Sequence, residues 1–375
     1  MNRLLILSVS AGAGHTRAAQ ALEQTGKALW PKAEILHADV LDFAEPIYRK
    51  GYVQSYLEMV NRAPELWGYL YRSSDHPPRS GRQSRFVRVF DRLEFARFRR
   101  FVRDFDADAV LATHFLPGQV FAPYRRRARD RFPLGIVLTD FDAHAFWVQP
   151  TADRFFVATE ELAAVLAGRG IPRQKISVTG IPVLPAFARR HDRKALRARF
   201  KLSRRKPVIL VMSGGAGVGS LVEVVRRVLA SGSVQVLAVA GRNEKARREL
   251  ESLRPRPGSE LRVFGFVEDV SALMAVANLA VGKSGGLTTA ECLAMGLPML
   301  VCDPIPGQEE RNCDFLLEAG AAVRANGGAA LSFKLTALLS DERRLKSMRR
   351  SAVRAGKPRA AAEILKVAGS AEMRG

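Results

Sequence analysis

The sequence predicts an α/β protein of two doubly wound domains, each a parallel sheet covered by helices on both faces, with the two facing across a cleft. Three observations lead there. Strand-like apolar runs alternate with helical segments. The succession of strand, Gly-rich turn and helix begins twice, once in each half. The length, 375 residues, suits two ordinary domains. At 47% hydrophobic and 26% charged, the composition is that of a globular chain rather than a disordered or fibrous one.

Taken in order, the first half opens with LLILSVSAGAGHTRAAQALEQ, read as a strand over residues 4–9, a turn and a helix. Further strands are expected at residues 109–113 and 136–139. The pattern restarts at Pro207 with VILVMSGGAGVGS and continues through VQVLAVAG and a strand at residues 279–282. Between the halves, GIPVLPAF (residues 180–187) reads as a Pro-containing connector. It sets the domains at residues 1–187 and 188–375, with the last helix free to pack back on the first. Ligands of such sheets bind at the carboxyl ends of the strands, so chemistry is expected in the turns that follow them.

Several classes fall away. The longest apolar runs, such as residues 4–9 and 208–212, fall far short of the roughly 20 residues that a membrane-crossing helix needs. The start MNRLLILSVSAGA reads as a first strand and not as a signal peptide. Cys292, Cys302 and Cys313 offer neither a disulfide framework nor ligand spacing, which points to a reducing cytoplasm and to buried apolar roles. The VGKS at residues 281–284 lacks the first glycine of a P-loop, where Ala277 stands. Gly12-Ala13-Gly14 and Gly215-Ala216-Gly217 lack the third glycine of the dinucleotide fingerprint, with Arg17 and Ser220 in its place. These turns do supply backbone N–H groups at a helix start, which suit anions.

The formal charge of +22 is concentrated. Residues 51–100 carry ten basic against five acidic side chains, residues 151–200 ten against four, and residues 201–250 ten against three. Residues 189–206 hold ten basic side chains against Asp192 alone, and residues 79–103 hold nine Arg and five Phe. In the latter, Phe86 and Phe90, then Phe98 and Phe101, recur at helical spacing beside Arg85, Arg88, Arg92 and Arg99. The pattern fits a helix lying in an anionic bilayer surface, arginines on the headgroups and phenylalanines inserted. A helix packed on a core through its Phe face is the plainer alternative. Binding of a nucleic-acid backbone is a third, and it is not the one expected.

The densest chemistry lies in residues 264–312. A strand ending in Lys283-Ser284-Gly285-Gly286 feeds a helix expected from Leu287, presenting N–H groups and the hydroxyls of Thr288 and Thr289 to a pyrophosphate. Glu291, one turn in, can take both hydroxyls of a ribose. After the next strand, residues 304–307 turn the chain so that Gln308, Glu309 and Asn312 are available to sugar hydroxyls.

The stretch SGGLTTAECLAMGLPMLV followed by GQEERN resembles the donor-binding half of glycosyltransferases with the two-Rossmann-domain GT-B fold. In the first half, SAGAGHTRAAQAL, DVLDF, APELWGYLYR, TDFDAHAFWV and VTGIPV resemble the monogalactosyldiacylglycerol synthase and processive diacylglycerol glucosyltransferase family, over roughly residues 4–340. One departure is visible, since the family commonly has three consecutive glycines before the histidine and Ala13 interrupts them here. The resemblance implies an inverting hexose transfer from UDP-glucose or UDP-galactose to the hydroxyl of diacylglycerol. No metal or other cofactor is implied. It also implies Gly14, Ser213, Gly214, Gly215, Gly241, Phe266 and Val267 as donor contacts, and a cytoplasmic enzyme held peripherally on the inner face of the cell membrane by anionic lipid. A UDP-N-acetylglucosamine enzyme of the same architecture, a lipid-linked transferase or a 2-epimerase, stays open as the alternative.

An alcohol needs a general base near neutral pH, and His15 is the candidate. It stands at the first turn of a helix, whose positive end disfavours an imidazolium. The N–H groups at Gly285-Gly286 and at residues 213–215 would stabilise the departing diphosphate in place of a metal. Asp140 and His144 are candidates for positioning the acceptor.

Overall fold

The computed structural model describes residues 1–10, 12–45, 51, 64–73, 75, 95–122, 132–212 and 221–374. The chain divides into two compact units, Met1–Pro185 together with Arg359–Gly375, and Ala186–Pro358.

The first unit runs β1 (Arg3–Ser8), α1 (Ala13–Leu29), β2 (Glu34–Asp39), α2 (Pro64–Ser73), α3 (Ala96–Phe105), β3 (Ala109–Ala112), α4 (Phe115–Phe121), β4 (Leu134–Val137), β5 (Arg154–Val157), α5 (Glu160–Gly168) and β6 (Ile176–Val178). Its strands form one sheet in the order β2-β1-β3-β4-β5-β6. Every pairing is parallel, with Leu4 beside Ala109 and Leu7 beside Ala112. Helices cover both faces, so β3 and β4 read as unbroken apolar runs, and Leu4 to Leu7 in β1 and Phe155 to Val157 in β5 are wholly buried.

The second unit runs α6 (Arg193–Arg199), β7 (Val208–Met212), α7 (Leu221–Ala230), β8 (Gln235–Val239), α8 (Glu244–Ser252), β9 (Glu260–Phe264), α9 (Val270–Val276), β10 (Leu279–Gly282), α10 (Gly286–Ala294), β11 (Met299–Cys302), α11 (Gln308–Glu318), β12 (Ala322–Ala325), α12 (Gly328–Ser340) and α13 (Glu342–Ala355). Its parallel sheet has the order β12-β11-β10-β7-β8-β9. The three cysteines are buried and unpaired. The last helix, α14 (Ala360–Ala368), belongs to the first unit, where Ile364 and Leu365 pack in one cluster with Leu4, Ile6 and Leu22.

Each sheet has one place where the chain reverses its direction of growth. From β1 it goes to β2 on one side and β3 on the other, and from β7 to β8 on one side and β10 on the other. The carboxyl ends of those paired strands are where ligands of such sheets bind.

Of the aromatic stripe expected to enter a bilayer, Phe98 and Phe101 pack against the unit's own aromatic residues instead. On α3, Phe98 is wholly buried, with its ring centroid 5.4 Å from that of Phe43 and 5.1 Å from that of Phe121. Phe101 is half-buried and lies 4.7 Å from Phe43. Neither is placed to insert into lipid, and Arg99 between them is half-buried. A period of 3.6 residues marks an apolar face without saying what covers it, and here the unit's own core does. Arg85, Phe86, Arg88, Phe90 and Arg92 lie outside the described residues. Among the described residues, no helix is long and apolar enough to cross a membrane.

Candidate active site

The carboxyl ends of β1, β3 and β4 bring His15, Thr113, His114 and Thr139 together. His15 stands in the first turn of α1, whose N-cap Gly12 has φ +119°, a conformation that other residues rarely adopt. Ala13, which breaks the glycine run, is the first helical residue and is exposed, and it is not among the described residues with positive φ. The extra methyl therefore falls on a helical position, and among the described residues of this turn the positive φ belongs to Gly12.

His15 Nδ1 lies 2.9 Å from the Thr113 carbonyl oxygen and 2.9 Å from Thr139 Oγ1. A carbonyl can only accept, so Nδ1 carries the proton and Nε2 keeps its lone pair. The Thr113 hydroxyl donates to the His15 carbonyl at 2.9 Å, so Thr113 holds both the ring and the backbone of that residue. Burial pushes the His15 pKa down to about 4, against a smaller opposing effect of the bond to Thr113. The side chain is thus neutral at neutral pH and can accept a proton at Nε2.

His114, two residues after β3, is 3% exposed and lies edge-on to His15 with ring centroids 4.6 Å apart. Its Nδ1 accepts the N–H of Leu116 at 3.0 Å, capping α4. Trp147 lies 6.2 Å from His15 and 6.3 Å from His114, and Phe115 and Phe146 extend this aromatic wall, with centroids 5.2 Å apart. Residues 145–147 are pinned from outside the wall. The Asp75 carboxylate accepts the Ala145 N–H at 2.8 Å and pairs with both terminal nitrogens of Arg169. His144, expected near the acceptor, is buried and accepts the Phe146 N–H at 3.2 Å, a capping role. Asp140 is half-buried beside Thr139 in the chain.

In the second unit, α10 starts at Gly286, one residue before the expected Leu287, and its N-cap Gly285 leaves the first N–H groups without a side-chain cap. Thr288 and Lys283 are partly exposed there, as are Gly285 and Gln308. Thr289 is not available. Its side chain is wholly buried and Oγ1 has no hydrogen-bond partner, because neighbours on a helix point about 100° apart and only one of the two threonines can face outward. Ser284 is buried and donates to the Glu309 carbonyl at 2.7 Å. The Glu309 carboxylate accepts the Ile305 N–H at 2.7 Å, which fixes the turn before α11. Glu291 and Asn312 are buried in the same two helices. Gly241, with φ +61°, precedes Arg242, whose guanidinium lies 5.1 Å from the centroid of the exposed Phe266 ring. Val267 beside it is half-buried. Ser213, Gly214 and Gly215 lie outside the described residues.

Sequence reasoning found His15 and the start of α10 but missed Thr113, His114, Thr139 and Trp147. Thr139 and Trp147 lie within TDFDAHAFWV, a segment that already carries the family resemblance, whereas Thr113 and His114 are marked by position alone, just beyond β3 at the carboxyl end of the sheet.

Residues 15–183 match the family model described as monogalactosyldiacylglycerol (MGDG) synthase, and residues 208–364 match the glycosyltransferase family 28 C-terminal domain. A processive diacylglycerol beta-glucosyltransferase of Bacillus cereus (strain AH187) is 28% identical over 348 residues, 92% of this chain and 88% of that protein. The protein of the same description from Bacillus subtilis (strain 168) is 28% identical over 351 residues, 93% of this chain and 90% of that one. Among solved structures, Acinetobacter baumannii MurG has a TM-score of 0.63 at 14% identity, covering 98% of this chain and 99% of its own. The UDP complex of S. aureus MnaA has a TM-score of 0.64 at 15% identity, covering 98% and 96%. These likenesses show a shared fold of two Rossmann-like domains. The synthase model thus matches in the first half of the chain and the family 28 C-terminal model in the second, and over most of its length the chain is similar to the Bacillus diacylglycerol beta-glucosyltransferases.

Proposed function

We propose that the protein transfers a hexose from UDP-glucose or UDP-galactose to the free hydroxyl of diacylglycerol, with inversion to a β-glycoside. The match of residues 15–183 to the synthase model carries this reading, because solved structures described as UDP-N-acetylglucosamine 2-epimerases are similar to this chain in fold alone, at 16% and 15% identity. The relatives at 28% identity, described as diacylglycerol beta-glucosyltransferases, support it.

In this reading His15 Nε2 takes the proton of the acceptor hydroxyl as its oxygen attacks the anomeric carbon. The bond from that carbon to the diphosphate breaks, and the electron pair leaves with UDP. The imidazolium that forms keeps its Nδ1–H on the Thr113 carbonyl. The uncapped N–H groups at the start of α10 take the charge of the diphosphate, with Lys283 and Thr288 beside them. Glu291 holds the ribose, and Phe266 offers an exposed aromatic face to the uracil ring. The donor residues are helix N–H groups, hydroxyls and amides rather than paired carboxylates, so transfer proceeds without a metal and survives EDTA.

The enzyme meets its acceptor at a bilayer, drawn by basic segments to anionic lipid at on the order of 1 kcal/mol per residue near the surface. Incubation with diacylglycerol liposomes and labelled UDP-hexoses tests the reading. Label passing into the lipid extract supports it. Conversion of UDP-N-acetylglucosamine to its 2-epimer, with no labelled lipid, sinks it.

A further inference from the structure

His15 and His114 are locked in opposite tautomers. The Thr113 carbonyl oxygen, 2.9 Å from His15 Nδ1, requires a proton on that nitrogen and leaves Nε2 as an acceptor. The Leu116 N–H, 3.0 Å from His114 Nδ1, requires a lone pair there and puts the proton on Nε2, a donor. Among the described residues, neither Nε2 has a hydrogen-bond partner. With ring centroids 4.6 Å apart and the rings edge-on, at the carboxyl ends of adjacent parallel strands, the pair combines one proton acceptor and one proton donor in two touching rings. A hydroxyl about to be deprotonated needs that combination: an acceptor for its hydrogen and a donor for the oxygen on which negative charge builds.

We propose that His114 is a second catalytic residue, whose Nε2–H donates a hydrogen bond to the acceptor hydroxyl oxygen while His15 Nε2 removes that oxygen's proton. The inference rests on the diacylglycerol transfer reading. His114 neither gains nor loses a proton in the step. It orients the oxygen's lone pair and stabilises the partial negative charge during attack. The Leu116 N–H keeps the proton off His114 Nδ1 and so on Nε2, as the Thr113 carbonyl keeps it on Nδ1 of His15. Two neutral rings at this separation also bar a double imidazolium, since burial and then the neighbouring charge hold His114 well below the usual histidine range.

Two variants separate the donor from the cap. In His114→Asn the side-chain oxygen sits where Nδ1 was and keeps the cap, a role asparagine fills well, but the Nε2–H is gone. In His114→Gln the amide reaches the Nε2 position and restores a donor while the cap is weakened. With UDP-glucose and diacylglycerol liposomes, the Asn variant should keep near-normal thermal stability and UDP affinity and lose kcat by about 10- to 100-fold, the worth of a hydrogen bond to a charging oxygen. The Gln variant should be less stable yet more active than the Asn variant. A fully active Asn variant would reduce His114 to a helix cap and overturn the proposal. Nitrogen-15 NMR of the histidine rings, which needs neither variant nor turnover, should show the proton on Nδ1 of His15 and on Nε2 of His114. The reverse tautomer at either ring would also overturn it. If the wild type itself transfers no hexose, the transfer reading fails, and the NMR result alone decides whether the donor–acceptor pair exists.

Discussion

Thr113 and His15 are joined twice: the Thr113 carbonyl accepts the His15 Nδ1–H at 2.9 Å, and the Thr113 hydroxyl donates to the His15 carbonyl at 2.9 Å. The same hydroxyl also lies 3.3 Å from the Leu7 carbonyl. One residue after β3 therefore fixes both the height of α1 above the sheet and the tautomer of the ring it carries. Thr113→Val keeps the shape and the carbonyl but removes the hydroxyl and the bond it donates to the His15 carbonyl, a loss of about 0.5–1.5 kcal/mol. The variant should melt lower and turn over more slowly, and Thr113→Ser should restore both. A Val variant with wild-type melting and kcat would mean that the second link does not hold His15.

His15→Ala should lose transfer by about 10²- to 10⁴-fold, the usual worth of general-base catalysis, with UDP affinity nearly unchanged. The acid limb of kcat/KM, which reports the free enzyme, should lie toward the folded pKa of about 4 and not at the ordinary histidine value of 6.5. Stability follows the same shift. With a folded pKa below the unfolded one, the unfolded chain binds the proton first, so stability is lost as pH falls from 6.5 toward about 4. An acid limb at or above 6.5, absent from the Ala variant, would contradict a half-buried base held neutral by desolvation.

Phe98→Ala should lower stability by roughly 3–5 kcal/mol, the cost of emptying a buried aromatic site, and should leave liposome binding of the folded fraction unchanged. Neutralising Arg85, Arg88, Arg92 and Arg99 together should reduce binding to anionic liposomes and transfer to bilayer diacylglycerol, with UDP affinity preserved. A quadruple variant that still sediments fully with anionic liposomes would move the docking surface elsewhere, with residues 189–206 the next basic segment to test.

Glu291→Ala should weaken UDP binding by roughly 1.5–3 kcal/mol, the range for hydrogen bonds involving a charged group. Calorimetric titration reads this directly. Unaltered affinity would place the ribose on other residues.

Much of this fold can be read from the chain because buried parallel strands are short apolar runs with a Gly-rich turn behind them. Residues 208–212 are β7, residues 279–282 are β10, and the helix after Gly285 begins where that turn ends. Pairings over long separations leave no such trace. Thr113 is 98 residues from His15 and Thr139 is 124, and only the strand order β1-β3-β4 brings them together. His114 lay in ATHFLPG without a motif around it, so its tautomer, set by a helix cap two residues on, became visible only with the coordinates. The Phe98 stripe shows the opposite failure. Its helical period was right, and burial against Phe43 and Phe121 assigned it to the core. Thr288 and Thr289 were indistinguishable until α10 turned one outward and the other in.

The most direct test of the account is to let the protein act on liposomes containing diacylglycerol with each UDP-hexose and to determine the anomeric configuration of the purified lipid product by NMR. The account predicts a β-linked hexosyl diacylglycerol, formed in EDTA and lost in His15→Ala. An α-linked product, or no glycolipid from a protein that binds UDP normally, would contradict it.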